Sequence, residues 1–165
     1  DDLAAQGWTS DQACYDSRNL LHYFRLMPNR QFLFGSRGGL RSSPTAEAQI
    51  QKLVRRDFNT MFANWAHVET PWHWSGMVCL SARLTPFCGA IKDMPNAYAG
   101  FAYHGNGVAM GSYCGVLLAD LVQGKPTRYP HPEIMQAQPK RFPLGRFRRA
   151  LMWPGYTMAG LADMR

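Results

Sequence analysis

Short aromatic segments separated by polar turn residues open the chain over residues 13–37. The stretches ACYDSR, LHYFRLMP and QFLFGSR have the length of strands and the aromatic content that favours β-structure. Between the last two, Pro28 and Asn29 are residues that form turns. The pattern predicts an antiparallel meander.

A helical period of apolar residues follows in SSPTAEAQIQKLVRRDFNTMFANW, residues 42–65. Ser43 or Thr45 can cap the start, Pro44 suits the first turn, and Glu47 complements the helix dipole. The pattern predicts an amphipathic surface helix that covers one side of the sheet. Its apolar positions recur at three-four spacing and are Ile50, Leu53, Val54, Phe58, Met61, Phe62 and Trp65.

Later elements are less regular. Residues 67–80 predict a strand region, residues 81–96 a loop, and residues 97–103 a short buried strand. A turn and a buried helix follow and end at Gly124, which suits a helix C-terminus. Residues 94–119 carry no charged side chain, but their Asn, His, Pro and Gly residues argue against a membrane-spanning helix.

The net charge of +7 is concentrated near the end of the chain. Residues 1–124 hold ten basic and nine acidic side chains, whereas residues 125–165 hold eight basic and two acidic ones. Because no nucleic-acid module precedes the basic segment KRFPLGRFRR, we expect an arm that packs on the protein or on an acidic partner, not a nucleic-acid site. The Pro-rich residues 125–133 predict that the chain leaves the compact unit there.

The four cysteines form no C-x-x-C pair and lack zinc-finger spacing. We therefore expect free thiols in a cytoplasmic protein and no metal site. The chain opens on two aspartates and contains no signal-peptide pattern.

The helix after residue 103 contains an unusual number of glycines. Gly107, Gly111 and Gly115 recur at i, i+4 and i+8, which places them on one face where another backbone or a flat ligand could approach. Gly111 and Gly115 could equally serve helix-on-strand packing. Gly105 and Gly107 lie in the turn before the helix, where the first free N–H groups favour an anion or an electron-rich oxygen.

Three segments carry patterns of one enzyme family in the family's order and spacing. YDSRNLLHYFRLMPNRQFLFGSR is similar to strands with the pattern YYR-x-TPD-x-R-x-LFGG, and WSGMVCLSARLTPFCGAI to W-x-G-x4-[ST]-x-D-x-x-P-x-x-G. AYAGFAYHGNGVAMGSYCGVLLADLVQG is similar to YYAGGYSGHGVALA-x-x-AG-x-LLAELI-x-G. The chain thus resembles the C-terminal part of the D-amino-acid-oxidase-like family of FAD-dependent oxidoreductases, in the branch with glycine oxidase, sarcosine oxidase and gamma-glutamylputrescine oxidoreductase.

The resemblance implies an α+β fold. It consists of an antiparallel substrate-domain sheet with a covering helix, followed by the C-terminal strand and glycine-rich helix of an FAD-binding domain. Residues 1–92 would belong to the substrate-binding domain, residues 93–124 to the FAD-binding domain, and residues 125–165 to a basic Pro-rich tail.

The resemblance also implies site residues. The turn and the helix N-terminus would face the pyrimidine end of the flavin ring, and the sheet would lie over the flavin, with Tyr23 and Arg25 as candidates for substrate contact. An arginine can hold a substrate carboxylate by two hydrogen bonds, although a surface role for Arg25 is an alternative. The positions that match the family's cofactor-binding turn are Gly100, His104, Gly105, Asn106, Gly107 and Val108.

The sequence departs from the family pattern in several places. The glycine turn is one residue longer, and Arg83 and Leu84 stand where an acid or amide and a basic residue are common. Aligning on Pro86 does not bring Cys79 to the position where some relatives attach flavin covalently, so we expect non-covalent FAD.

The family's N-terminal Rossmann half, with its G-x-G-x-x-G, has no counterpart in these residues. We therefore expect a C-terminal fragment, inactive alone, of an enzyme that oxidises a C–N bond of a small amine or amino acid by hydride transfer to FAD. The missing half would be its partner, in the same chain or as a separate subunit. The alternative is a non-catalytic binding module whose basic tail contacts nucleic acid or an acidic protein. No residue is identified as a catalytic base, and the sequence does not specify the amine, the electron acceptor or the oligomeric state.

Overall fold

The computed structural model describes residue 5, residues 8–140 and residues 142–164. The chain divides into two compact units, one formed by Asp1–Ser75 with Arg149–Arg165 and the other by Gly76–Arg148. Each unit has its own small antiparallel sheet, so the chain is a mixed α and β structure. The division groups residues 76–92 with the glycine-rich segment. That the units correspond to substrate-binding and FAD-binding domains stays a prediction.

The first unit contains the predicted meander. Strands β1 (Cys14–Tyr15), β2 (His22–Leu26) and β3 (Phe32–Ser36) pair in that order, with Phe24 opposite Phe34. The turn between β2 and β3 is closed by Met27, whose N–H donates to the Gln31 carbonyl at 2.8 Å. The prediction of three antiparallel strands is confirmed.

Helix α1 (Pro44–Met61) covers one face of this sheet, as predicted. Ser43 is the N-cap, and its hydroxyl accepts a hydrogen bond from the N–H of Ala46 at 3.2 Å. A short 3₁₀ helix, Ala63–Trp65, follows. Alternate positions on the strands and three-four positions on the helix meet in an aromatic core with ring centroids 5.0–6.4 Å apart. The core comprises Trp8, Phe24, Phe32, Phe34, Phe58, Phe62 and Trp65.

The second unit is built on a two-stranded antiparallel sheet. Strand β4 (Phe87–Ala90) pairs with β5 (Tyr98–Phe101), and helix α2 (Gly107–Val122) packs on both. A single turn of helix, α3 (Glu133–Gln136), packs on β4. The buried core residues are Cys88, Cys114, Leu117 and Met135.

Within the ranges that the structure describes, no helix has both the length and the apolar character needed to cross a membrane.

The end of the chain returns to the first unit. A 3₁₀ helix, Gly145–Leu151, leads into α4 (Met152–Ala162), which is followed by Asp163. The Asp163 carboxylate accepts hydrogen bonds from the N–H and the side-chain amide of Asn19 at 2.8 and 2.9 Å, and from the N–H of Leu20 at 2.8 Å. The last helix is therefore tied to the loop between β1 and β2.

Three local predictions were wrong. Residues 69–80 form neither helix nor strand, and Pro71 removes a backbone donor that a strand would need. The predicted loop of residues 81–96 contains β4, which pairs with β5 although two of its residues, Gly89 and Ala90, are poor strand formers. Residues 125–133 do not leave the compact unit.

Side-chain hydrogen bonds hold the Pro-rich segment against the second unit. The His131 ring donates from Nε2 to the Cys88 carbonyl at 2.7 Å, and Arg128 pairs with the buried Asp120 at 3.0 Å. Further along, Gln138 donates to the Ala90 carbonyl at 2.8 Å. His131 and Gln138 thus donate hydrogen bonds to two carbonyl groups on the outer edge of β4, so this edge strand has fewer unpaired acceptors.

Candidate functional site

The six predicted cofactor-binding residues lie together in the second unit, between the end of β5 and the first turn of α2. Gly100 lies within β5, His104 and Gly105 in the turn, and Asn106 is the N-cap of α2. Gly107 and Val108 begin the helix. Their contact with a cofactor stays a prediction.

The N-terminus of α2 presents free backbone donors. Asn106 is the N-cap, but its side chain makes no capping hydrogen bond. The first N–H of the helix with a partner inside the described chain is that of Met110, which donates to the Asn106 carbonyl at 2.9 Å. Three N–H groups therefore lack a partner among the described residues, those of Gly107, Val108 and Ala109.

Space and charge at this helix end fit the electron-rich pyrimidine end of a flavin. Apart from the adjacent residues and the nearby backbone of the helix itself, no described atom lies within 4 Å of where a Cβ would stand on Gly105 or Gly107. The side chain of Val108 is 90% exposed, and the first turn of α2 contains no acidic residue. Positive partial charge at a helix N-terminus, with open space in front of it, suits a group that gains negative charge. The residues present are thus compatible with the FAD that the sequence implies.

The turn itself has an unusual backbone. Ala102, His104 and Gly105 have φ angles of +62°, +53° and +101°. For Ala102 and His104 this left-handed conformation is unfavourable by about 1–3 kcal/mol each, whereas glycine adopts it without a steric penalty. The surrounding packing has to hold the turn in this shape, and Ala102 is accordingly 1% exposed.

Gly100 has a packing role that is independent of any cofactor. A Cβ on Gly100 would lie 2.8 Å from the Tyr103 hydroxyl and 3.1 Å from Cβ of Cys114. Only glycine permits β5 to approach α2 this closely. Gly115, in contrast, has no atom of another element within 4 Å of its Cβ position among the described residues, so helix-on-strand packing within this unit does not explain it.

Cys88 and Tyr103, which lie behind the turn, are neutral at neutral pH. Burial, together with the neighbouring Cys114, raises the pKa of Cys88 to about 12. Burial and the same thiol raise the pKa of Tyr103 to about 12. A thiol with such a pKa is a poor nucleophile, so these side chains form the support of the turn and carry no acid–base chemistry at neutral pH.

The two predicted substrate residues lie in the first unit. Tyr23 and Arg25 are two residues apart on β2 and point to the sheet face opposite Phe24 and the aromatic core. The ring of Tyr23 is 46% exposed and lies against Gly35, where a Cβ would clash with it. Nε of Arg25 donates to the Asp11 carbonyl at 2.8 Å. The structure thus brings the two side chains to one face, and their contact with substrate stays a prediction.

Sequence reasoning missed the residues that support the turn. Ser81 and Thr85 form a closed loop beside His104, and Arg83 donates to the Ala137 carbonyl at 2.6 Å. Arg83 departs from the family pattern, and here its guanidinium holds the end of α3. The departure was the only signal in the sequence that pointed to this contact.

Comparisons with known proteins agree with the geometry. The model of the DAO family, FAD-dependent oxidoreductases, matches residues 2–121. The probable oxidoreductase OrdL of Rhizobium meliloti (strain 1021) is 32% identical over 149 residues, which are 90% of this chain and 33% of OrdL. The gamma-glutamylputrescine oxidoreductase of Escherichia coli (strain K12) is 27% identical over 129 residues, which are 78% of this chain and 29% of that protein.

This chain spans a third or less of the length of these relatives. No solved structure is significantly similar to it. The family match nevertheless extends over more than half of the chain and includes the turn, its two neighbouring elements and the meander. The chain therefore belongs to the DAO family of FAD-dependent oxidoreductases.

Proposed function

We propose that this chain is part of an oxidoreductase that oxidises a C–N bond of an amine or amino acid by hydride transfer to non-covalently bound FAD. The observation that carries the proposal is the uncapped N-terminus of α2, which lies inside the region that matches the family. One relative is named after an amine substrate, as gamma-glutamylputrescine oxidoreductase, and this name supports an amine as the substrate. The alternative of a non-catalytic binding module gains no support from the comparisons.

When bound, FAD would accept the hydride from the carbon beside the substrate nitrogen. The contribution of the chain would be electrostatic: the free N–H groups of Gly107, Val108 and residue 109 favour the negative charge that develops in front of them. Tyr23 and Arg25 would orient the substrate from the exposed face of β2, with the guanidinium on a carboxylate where the substrate has one. Hydride transfer from a neutral amine needs no strong base, and we assign none.

We also propose that a nucleotide-binding half completes the enzyme and that this chain alone is inactive. The exposed face of α2 supports this proposal, since Val108 and Val122 are 90% and 64% exposed and Gly115 and Ala119 lie between them, also exposed. An apolar helix face of this kind is normally covered in a complete protein. Relatives about three times as long have room for such a half.

The first experiment measures the intact mass and the visible absorption spectrum of the purified chain, with and without added FAD. We expect the mass of residues 1–165 and no stoichiometric flavin absorption. Stoichiometric flavin on this chain alone would contradict the need for a second half. A complete protein that neither retains FAD nor loses flavin colour with any amine would refute the proposed function.

A pair of substitutions at Val108 tests the helix N-terminus directly. Val108→Glu places a carboxylate beside the free donors, and Val108→Gln is the neutral control of equal size. The carboxylate favours the helix itself by about 0.3–1 kcal/mol, so the free energy of unfolding should rise slightly while FAD retention by the complete protein falls. If both variants of the complete protein retain FAD equally well, the donors do not face the flavin.

A further inference from the structure

We infer that His104 is a positioning residue: its Nε2 holds the glycine turn against the loop Ser81–Thr85 through one hydrogen bond and is therefore not available to the cofactor. This role of His104 goes beyond the proposed function. It rests on the proposed function only because that function makes the glycine turn part of the cofactor site.

The backbone N–H of Ser81 finds no acceptor within the loop. The Ser81 hydroxyl donates to the Thr85 carbonyl at 2.8 Å and accepts from the Thr85 N–H at 3.2 Å, and the Leu84 N–H donates to the Ser81 carbonyl at 3.1 Å. These bonds close the loop on itself. The N–H of Ser81 remains, and Ser81 is only 5% exposed. A buried N–H without an acceptor would be strongly unfavourable.

His104 supplies the missing acceptor. Its Nε2 lies 3.1 Å from the Ser81 nitrogen and 3.4 Å from the Ser81 hydroxyl oxygen. Because the hydroxyl proton is directed to the Thr85 carbonyl, the backbone N–H is the donor to His104. Nε2 must then carry a lone pair, which places the proton of the neutral ring on Nδ1. With Nε2 occupied, this nitrogen is not available to a flavin.

The backbone conformation of His104 supports the same role. Its φ of +53° is tolerated by few residues other than glycine. In the same turn, Ala102 and Gly105 also have positive φ angles, of +62° and +101°. The hydrogen bond to Ser81 stabilises His104 in this conformation and offsets part of its strain. The bond also joins two of the segments that carry the family pattern, since Ser81 belongs to the second segment and His104 to the third, 23 residues further along the chain.

Three variants separate the hydrogen bond from the backbone. In His104→Gln, the side-chain oxygen can replace Nε2 as acceptor. His104→Ala removes the acceptor and keeps the strained backbone, whereas His104→Gly removes the acceptor and relieves the strain. The measurement is amide hydrogen exchange at Ser81 by NMR. We expect exchange about tenfold faster in the Ala and Gly variants and close to the natural rate in the Gln variant.

The ¹⁵N shifts of the His104 ring give a second, direct reading, and we expect the tautomer protonated on Nδ1. A ring protonated on Nε2, or unchanged exchange at Ser81 in both the Ala and Gly variants, would overturn the inference. Neither measurement needs FAD, so both remain informative if the chain alone does not bind it.

The positioning role requires a third comparison, in the complete protein with its FAD. The Gln variant should retain FAD with nearly natural affinity, and the Ala variant should bind it about tenfold more weakly. Equal weakening by both would mean that the imidazole contacts the flavin, contrary to the inference. A complete protein without any FAD affinity would refute the proposed function, and with it the positioning role, even where the exchange results at Ser81 hold.

Discussion

The same substitution, glycine to alanine, should have opposite effects at two positions of the second unit. A Cβ on Gly100 would lie 2.8 Å from the Tyr103 hydroxyl, 3.1 Å from Cβ of Cys114 and 3.4 Å from a methyl of Leu118. Overpacking of this kind lowers stability by about 1–3 kcal/mol. The less flexible unfolded chain of an alanine variant returns about 0.4–1 kcal/mol. Gly100→Ala should therefore lower the free energy of unfolding by about 0.5–2 kcal/mol.

Gly115→Ala is the matched control. No described atom of another element lies within 4 Å of its Cβ position, and the residue is inside α2, where alanine is favoured over glycine by about 0.5–1 kcal/mol. This variant should raise the free energy of unfolding by that amount. The two substitutions add the same methyl group, so a difference in sign can come only from their surroundings.

The assay must read the two units separately. All five tryptophans lie in the first unit, so their fluorescence during urea unfolding serves as the internal control. Amide exchange in α2 reports on the second unit. An unchanged or more stable second unit in Gly100→Ala would refute the close-approach argument. Destabilisation by Gly115→Ala in this chain would show that part of the chain covers that face of α2.

Two further predictions concern the first unit. Burial alone would raise the pKa of Asp16, but hydrogen bonds from the side chain and N–H of His22 lower it overall, so the native state binds its proton less readily than the unfolded chain does. The stability that this carboxylate contributes is therefore present above the unfolded pKa of about 4 and is lost as the pH falls further. Asp16→Asn should make the urea midpoint of unfolding depend less on pH below about 4. An unchanged pH dependence in this variant would contradict the stabilising role of the Asp16 carboxylate. Asp163→Ala should speed amide exchange at Asn19 and Leu20, whose N–H groups lose their acceptor, and unchanged exchange would show that the last helix is not held there.

The parts of the fold that the sequence predicted are those where local pattern and packing agree. In the meander, aromatic residues alternate along β2 and β3, and the period of α1 brings Phe58 and Phe62 onto them. Ser43 caps the helix through a contact only three residues away. Short-range chemistry of this kind is readable without a structure.

The parts that the sequence did not predict depend on distant partners. Strand β4 contains residues that do not favour a strand, and it forms because β5 pairs with it in register. The Pro-rich segment looks irregular, yet His131 and Arg128 bind it to Cys88 and Asp120, which lie up to 43 residues away in sequence. No local rule identifies such contacts in advance.

In the candidate site too, the local features could be predicted from the sequence, whereas the contacts between distant residues could not. The glycine turn and the start of α2 were predicted from the sequence, because Gly105 and Gly107 interrupt the pattern between a short strand and an apolar helical segment. The support of the turn does not follow, since nothing local relates His104 to Ser81. The family patterns place the two segments in order, but only the structure shows that a hydrogen bond joins them.

The sequence left two causes open for the glycines, close packing and a cofactor turn, and the structure assigns different roles to individual positions. Gly100 permits close approach of strand and helix, Gly105 permits a left-handed backbone, and Gly107 leaves space before free N–H groups. Gly115, which completes the i, i+4, i+8 series, has no such role within the second unit. A glycine inside a helix lowers its stability by about 1 kcal/mol relative to alanine, and packing within this unit does not account for that cost at Gly115. The spacing alone cannot distinguish these causes, and the comparison of Gly100→Ala with Gly115→Ala can.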